Sequence, residues 1–297
     1  MKRTWILGAT VWLLADIMSL CGEAKRPEAL PGAWMEATEP FHIAGPIYYV
    51  GTKGLCVYLL KTPGGDILLS GAMPESAAGL KKSIEKIGVK PGEIKILLIS
   101  HAHADHVGTL AEMKKWTGAK VEVLKEEVDL LKSGGKLDYL FAKNDRFHFA
   151  PVAADAVLKD GDEVALGGVK LKARLTPGHT RGTTTWTTTV EEGGKRYEVV
   201  FADGAGINPG TRFVRSPSYP GIAKDYAHTF EVLESLHPDI FLAYHAEFFD
   251  MEGKRSRMEK EGVRAWLDPE GYRRIIEERR AAFEEQVAKE GGATPSK

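Results

Sequence analysis

One short segment contains the densest group of reactive side chains in the sequence: Ser100-His101-Ala102-His103-Ala104-Asp105-His106-Val107-Gly108. Its histidines and aspartate are separated by small alanines, so a tight turn lets three imidazoles and one carboxylate converge. Burying four polar groups in a core instead would require a separate partner for each of them. The segment therefore predicts a metal site with imidazole and carboxylate ligands.

Four ligands so close together can serve two metal ions, which then need ligands from elsewhere in the chain. His179 and His245 have a suitable setting, because each follows a strand-like run in a short loop. The ligand types suit zinc, although iron and manganese remain open on ligand type alone. We expect surface or structural roles for the other histidines: His42, His148, His228 and His237.

The elements that must position these side chains alternate between strands and helices. An apolar strand over 94–99 precedes the central segment, and the apolar spacing over 74–87 predicts a helix. Further strands are predicted over 47–50, 56–60, 67–69, 121–124, 169–175, 184–188, 197–201 and 240–243, with further helices over 110–116, 128–132, 226–236 and 269–289. The turn Pro63-Gly64-Gly65-Asp66 indicates a hairpin. This mixture favours an α/β architecture of two sheets face to face with helices outside.

Composition excludes several classes of protein. With 297 residues, 43% of them hydrophobic, the chain can bury a full core without disulfide help. Forty basic residues against 41 acidic ones give a net charge of -1, which argues against a nucleic-acid binder. The two cysteines, Cys21 and Cys56, cannot build a thiolate cage, and Cys56 is expected to be a free core residue.

The beginning of the sequence is typical of an export signal. A basic start precedes an apolar run over 5–15 that is too short to span a bilayer. We expect residues 1–24 to be a signal peptide, and residues 25–297 to form a single domain in the periplasm without a membrane span. A lipid anchor on Cys21 and a buried N-terminal helix are the alternatives.

The three histidine segments together resemble the metallo-β-lactamase superfamily, from about residue 34 to the C-terminal helix. Within it the chain is most similar to the third subclass (B3) of the class B zinc β-lactamases. Four runs carry this similarity: Pro31-Gly32-Ala33-Trp34, Tyr48-Tyr49-Val50-Gly51-Thr52, Gly182-Thr183-Thr184-Thr185-Trp186 and Ala243-Tyr244-His245-Ala246. The resemblance implies a four-layer αββα sandwich with the site between the sheet edges.

The resemblance also implies a role for each candidate ligand. Two Zn²⁺ ions would be bound by His101, His103 and His179 for the first, and by Asp105, His106 and His245 for the second. Asp105 would in addition orient the metal-bound water. The implied activity is hydrolysis of the β-lactam amide of penicillins, cephalosporins and carbapenems by a metal-bound hydroxide, without a covalent enzyme intermediate.

Substrate contacts are implied at two further residues. The substrate carboxylate would lie near the loop over 204–210, where Asn208 offers amide donors, and Trp34 would form an apolar wall. The alternatives are that Asn208 only sets a turn and that Trp34 only packs the N-terminal arm.

The chain departs from the family pattern at three positions. Gly204 and Gly206 stand where many members of the family carry serines, whose hydroxyls help to hold the second metal's water or the substrate carboxylate. Ser70 replaces an aspartate that would steady a ligand, which predicts weaker binding of the second zinc.

Two other functions remain open. A thioester or lactone hydrolase shares the cluster but adds an aspartate that bridges both metals, and the run Phe201-Ala202-Asp203 is close to that pattern. Because the register over 206–210 continues the lactamase pattern, we expect the Asp203 carboxylate to point away and bridge nothing. The other alternative is a zinc-binding protein without turnover. We expect a monomer that acts on a small β-lactam substrate.

Overall fold

The structure is a computed structural model that describes residues 30–291, so the expected signal over 1–24 lies outside the described part. Its strands are β1 (Phe41–Ala44), β2 (Ile47–Tyr49), β3 (Tyr58–Leu60), β4 (Asp66–Leu69), β5 (Ile94–Leu98), β6 (Lys120–Leu124), β7 (Ala156–Leu158), β8 (Glu163–Leu166), β9 (Val169–Leu175), β10 (Thr184–Glu192), β11 (Lys195–Ala202) and β12 (Ile240–Ala243). Its α-helices are α1 (Ala77–Lys86), α2 (Ala104–Val107), α3 (Leu110–Thr117), α4 (Val128–Ser133), α5 (Ile222–Glu234), α6 (Met251–Glu261) and α7 (Pro269–Lys289).

The strands form two mixed sheets. The first has seven strands in the order β1 to β7, antiparallel from β1 to β4 and parallel from β4 to β7. The second has the order β12-β11-β10-β9-β8, in which only β11 and β12 run parallel. Parallel neighbours need crossover connections, which α1 supplies between β4 and β5 and α2 with α3 between β5 and β6.

The two sheets pack face to face through aromatic side chains. The Tyr58 ring lies 4.9 Å from the Phe201 ring, and the Tyr58 hydroxyl donates to the Ala243 carbonyl at 2.5 Å. The buried Trp186 indole donates to the Ile99 carbonyl at 2.9 Å, which satisfies its N–H inside the core. With helices such as α5 and α7 packed together outside the second sheet, the predicted αββα sandwich is confirmed.

The longest predicted helix matches the structure in its bounds. Proline stands at the first position of α7, where its missing N–H costs nothing. The Asp268 carboxylate accepts a hydrogen bond from the Gly271 N–H at 2.9 Å and caps the helix. Both signals are local, which is why the pattern predicts this helix well.

Other elements were missed by the sequence patterns. The strands β1, β7 and β8 and the helices α2 and α6 were not predicted, and α5 begins four residues before the expected start at 226. Helix α6 is almost entirely polar, so it carries no apolar periodicity by which to recognise it. Cys56 is free and buried, as expected. Across residues 30–291 no helix combines the length and the apolar character needed to cross a membrane.

Candidate metal centre

Every candidate ligand follows the carboxyl end of a strand. His101 and His103 follow β5, His179 follows β9, and His245 follows β12. Asp105 and His106 lie on the short helix α2, directly after the first two histidines. The fold brings these strand ends to one edge of the sandwich, so residues from distant parts of the sequence meet there.

The first set of candidate ligands consists of three histidines. His101, His103 and His179 each offer a ring nitrogen, and these nitrogens lie within 4.8 Å of one another. The ring centroids are 4.5 to 4.9 Å apart. The set is buried apart from His179, which is partly exposed.

Hydrogen bonds select which nitrogen of each histidine in the first set is available. Three acceptors engage the other nitrogen: Asp203 Oδ2 at 2.7 Å from His101 Nδ1, Asp138 Oδ2 at 3.0 Å from His103 Nε2, and the Gly206 carbonyl at 2.9 Å from His179 Nδ1. Because these acceptors require an N–H, the remaining nitrogens carry lone pairs. His101 Nε2 is buried and has no hydrogen-bond partner among the described residues, as a metal ligand would.

The second set consists of Asp105, His106 and His245. His106 Nε2 lies 3.2 Å from Asp105 Oδ2 and 3.2 Å from His245 Nε2. His245 Nε2 lies 3.5 Å from Asp105 Oδ2. Ligands about 2.0–2.1 Å from a tetrahedral zinc are about 3.3 Å apart, so these three atoms fit one ion.

The other nitrogens of the second set differ from those of the first. His106 Nδ1 and His245 Nδ1 are buried and have no hydrogen-bond partner within residues 30–291. The His245 ring lies instead 5.3 Å from the rings of both Trp34 and Phe248. His245 is therefore surrounded by aromatic rings, whereas the histidines of the first set are oriented by carboxylates and a carbonyl group.

Burial adjusts the protonation of the ligands. It lowers the pKa of His101 well below its usual value, lowers the pKa of His179, and lowers the pKa of His245 to about 4. Burial by itself would also lower the pKa of His103. The neighbouring Asp138 carboxylate outweighs this effect, so that the pKa of His103 is raised. Burial likewise favours a higher pKa for Asp105, yet the neighbouring His106 holds that pKa well below its usual value.

The candidate substrate contacts have different settings. The Trp34 ring lies beside the second set, 5.3 Å from the His245 ring. The Asn208 amide makes no hydrogen bond to any candidate ligand among the described residues, and its main-chain carbonyl accepts from Thr211 N at 3.1 Å, as in a turn. Gly204 has a φ of +95°, and a Cβ there would lie 2.5 Å from the Thr176 carbonyl oxygen. A serine at this position would therefore be strained.

Ser70, where the sequence resemblance implies an aspartate, is buried at a φ of 72°. Its hydroxyl has no hydrogen-bond partner among the described residues.

The remaining histidines lie outside both sets. His42 contacts the Gly45 carbonyl at 2.8 Å and His148 contacts the Ala142 carbonyl at 3.1 Å, both of which are structural contacts. His228 and His237 are exposed.

Two acidic residues near the ligands went unnoticed in the sequence. Asp138, which supports His103, also accepts from the main-chain N–H groups of Leu140 and Phe141 at 2.7 and 2.6 Å. Glu127 is 1% exposed, and burial raises its pKa to about 7. It stands at the start of α4, where an acidic residue is ordinarily explained by the helix dipole, so the local pattern hides its tertiary contacts.

Known proteins have similar sequences and similar folds. A family profile described as the metallo-beta-lactamase superfamily matches residues 56–192. The native FEZ-1 metallo-beta-lactamase from Legionella gormanii is 42% identical, with a TM-score of 0.84, over 86% of this chain and 98% of that one. The metallo-beta-lactamase GOB-18 from Elizabethkingia meningoseptica is 37% identical, with a TM-score of 0.84, over 89% and 98%.

A weaker similarity connects the chain to curated hydrolases. A hydroxyacylglutathione hydrolase from Rhodopseudomonas palustris (strain HaA2) is 32% identical over 124 residues, which are 41% of this chain and 39% of that protein. The chain spans only about two fifths to three fifths of the length of the curated relatives it matches.

Proposed function

Since the chain belongs to the metallo-beta-lactamase superfamily, we propose that it hydrolyses the amide bond of β-lactam antibiotics with two zinc ions. The observation that carries the proposal is the pair of adjacent three-ligand sets at one sheet edge. His101 connects them, because one of its ring nitrogens lies within 4.8 Å of ligand atoms of Asp105 and His106. The proposed substrates are penicillins, cephalosporins and carbapenems.

The side chains around the sets supply orientation and charge. Bound zinc lowers the pKa of a coordinated water to about 7 and polarises a carbonyl oxygen. Asp203, Asp138 and the Gly206 carbonyl hold the histidines of the first set in the tautomer that presents a lone pair. The ionised Asp105 adds negative charge to the second set, and it would accept a hydrogen bond from the reacting water. Trp34 would exclude bulk water beside His245.

The position of Asp203 favours an amide hydrolase with six ligands over an enzyme in which this aspartate bridges two metals. Its Oδ2 contacts His101 Nδ1 at 2.7 Å, and its Oδ1 accepts from the Gly204 N–H at 2.7 Å. Both oxygens thus accept from protein N–H groups, and the carboxylate points towards His101 rather than away from the site as the sequence predicts. These contacts support the other part of that prediction, in which Asp203 supports a ligand and bridges no metal.

Thioester hydrolysis is the second candidate, favoured by the curated hydroxyacylglutathione hydrolases that match part of the chain. Its weakness is coverage, since those matches include about two fifths of this chain, whereas the β-lactamases match most of it.

The deciding experiment is a substrate panel on purified zinc-loaded protein. It contains a penicillin, a cephalosporin, a carbapenem, an acylglutathione thioester and a lactone, with the His103→Ala protein as the blank. We expect turnover of at least one β-lactam that disappears in the blank. Turnover of the thioester or the lactone alone would overturn the proposal, and zinc binding without any turnover would favour a binding protein.

Replacing Asp203 by Asn separates the two candidates further. We expect β-lactam turnover and binding of two zinc ions to survive within about tenfold, because an asparagine oxygen can still accept from His101 Nδ1, so that only the charge of a supporting group is lost. Loss of one zinc ion would mean that this carboxylate is a ligand.

Export to the periplasm and a monomeric state complete the proposal, and both rest on the sequence. The mature protein is expected to begin near Lys25. Mass spectrometry of periplasmic protein would show this new terminus, whereas an intact Met1 on cytoplasmic protein would contradict it. Light scattering measures the mass in solution.

A further inference from the structure

A buried carboxylate outside both sets joins the two loops that carry the first set. Glu127 ends the short 3₁₀ helix Lys125–Glu127, directly after β6. Its Oε1 accepts from the main-chain N–H of Ala102, the residue between the first two histidines, at 2.5 Å. Its Oε2 accepts from Thr180 Oγ1 and from Gly182 N, both at 2.9 Å, in the loop of the third histidine.

The loop that carries His179 leaves space for the Glu127 carboxylate. A Cβ on Gly182 would lie 2.4 Å from the Glu127 main-chain nitrogen and 2.7 Å from its Oε2, so a side chain there would displace the glutamate. The Thr183 hydroxyl accepts from the Thr180 N–H at 2.9 Å, which holds Thr180 in place. Both Glu127 and this loop therefore contribute to their contact, which we call the junction.

We propose that Glu127 is a positioning residue, which holds the two loops at the separation that the first set needs to bind one metal ion. The two loops come from different sheets, and the histidines themselves make no bond that joins them. This inference rests on the metal-binding part of the proposed function and does not depend on which bond is hydrolysed.

Both terminal atoms of the side chain at position 127 must be hydrogen-bond acceptors. Three donors converge on the two oxygens of Glu127. Glutamine has nearly the same shape, but in either orientation its NH₂ group faces a main-chain N–H, that of Ala102 or that of Gly182, and leaves it without an acceptor. The fold does not depend on Glu127 alone, because Thr184 N donates to the Ser100 carbonyl at 2.7 Å and joins the same two loops.

Zinc affinity of the full chain tests this inference. A His245→Ala background disrupts the second set, so that the first set binds the tighter ion. We would add Glu127→Gln or, as the matched control, the exposed neighbour Glu126→Gln. The metal-free proteins are titrated with Zn²⁺ against a chromophoric chelator, and far-UV circular dichroism measures the folded fraction. We expect zinc binding at least about tenfold weaker with Glu127→Gln, and unchanged with Glu126→Gln.

Three results would overturn the inference. Equal affinities of the two variants would show that Glu127 does not position the ligands, and a loss matched by an equal loss of folded protein would show a merely structural role. Absence of zinc binding by the parent would overturn the proposed metal centre together with this inference.

A milder variant decides the case in which Glu127→Gln does not fold. Thr180→Val keeps the side-chain shape but removes the hydrogen bond from the Thr180 hydroxyl to Glu127 and its contact with the Thr183 hydroxyl at 2.8 Å. We expect about tenfold weaker zinc binding, the lower end of the range for one hydrogen bond to a charged group. Unchanged affinity would overturn the inference.

Discussion

The two ligand sets differ in how their histidines are supported. Each histidine of the first set has its non-ligating nitrogen engaged, by Asp203, Asp138 or the Gly206 carbonyl. In the second set, His106 Nδ1 and His245 Nδ1 have no hydrogen-bond partner among the described residues. Both sets are nearly assembled, but hydrogen bonds fix the tautomers and ring orientations only in the first.

This difference predicts which of the two sets binds its metal ion more tightly. Partners of the non-ligating nitrogen fix the ring and raise its basicity, and their loss typically weakens metal binding about 10–100-fold. The first set is therefore expected to bind the tighter ion. The second set, flanked by aromatic rings, depends on the Asp105 carboxylate for its charge.

Metal removal is expected to have the largest effect. Complete removal of zinc should abolish hydrolysis, since the side chains at the site include no other source of an activated water. Graded chelation should remove the second-set ion first, at least about tenfold more readily than the other. Metal content measured beside activity checks both statements. Full activity without metal, or a native content of one ion, would contradict the two-set description.

Loss of a ligand should come next in size. His103→Ala is expected to reduce kcat/KM by more than about a hundredfold, because removing a ligand costs more than removing its hydrogen-bond partner. His228→Ala is the control, since His228 is exposed on α5. Steady-state kinetics with a β-lactam give the comparison, and equal losses would disprove the ligand assignment.

Loss of a supporting carboxylate tests the comparison directly. Asp138→Ala should weaken binding of the first-set ion about 10–100-fold, because His103 Nε2 loses its acceptor at 3.0 Å. Asp145→Ala, at a fully exposed carboxylate nearby, should leave the affinity unchanged. Zinc competition measures both variants. If Asp138→Ala loosens only the second ion, the contrast between the sets is wrong.

The smallest effect is expected at the aromatic flank of the second set. Trp34→Ala should raise KM about threefold to tenfold, the size of a lost aromatic contact, with two zinc ions retained. Kinetics and metal analysis on the same sample distinguish this from loss of His245. A variant that loses an ion would show that the Trp34 ring positions the ligand.

The sequence patterns identified most elements that position the site. The apolar run before His101 and the runs before His179 and His245 all form strands, because local alternation and length carry that information. Short or polar elements such as β7 and α6 were missed, since they are held by tertiary pairing rather than by a periodic apolar face.

By itself, the sequence determined the types of the candidate ligands, the loops that carry them and the family, because closely spaced histidines after apolar strands are a local and chemically specific signal. Only the tertiary structure decided which groups support those ligands. Asp138, Asp203 and Glu127 reach their partners across 35, 102 and 25 or more residues of sequence. Such contacts leave no periodic pattern, since they arise when the two sheets pack and bring the ends of separate strands to one edge.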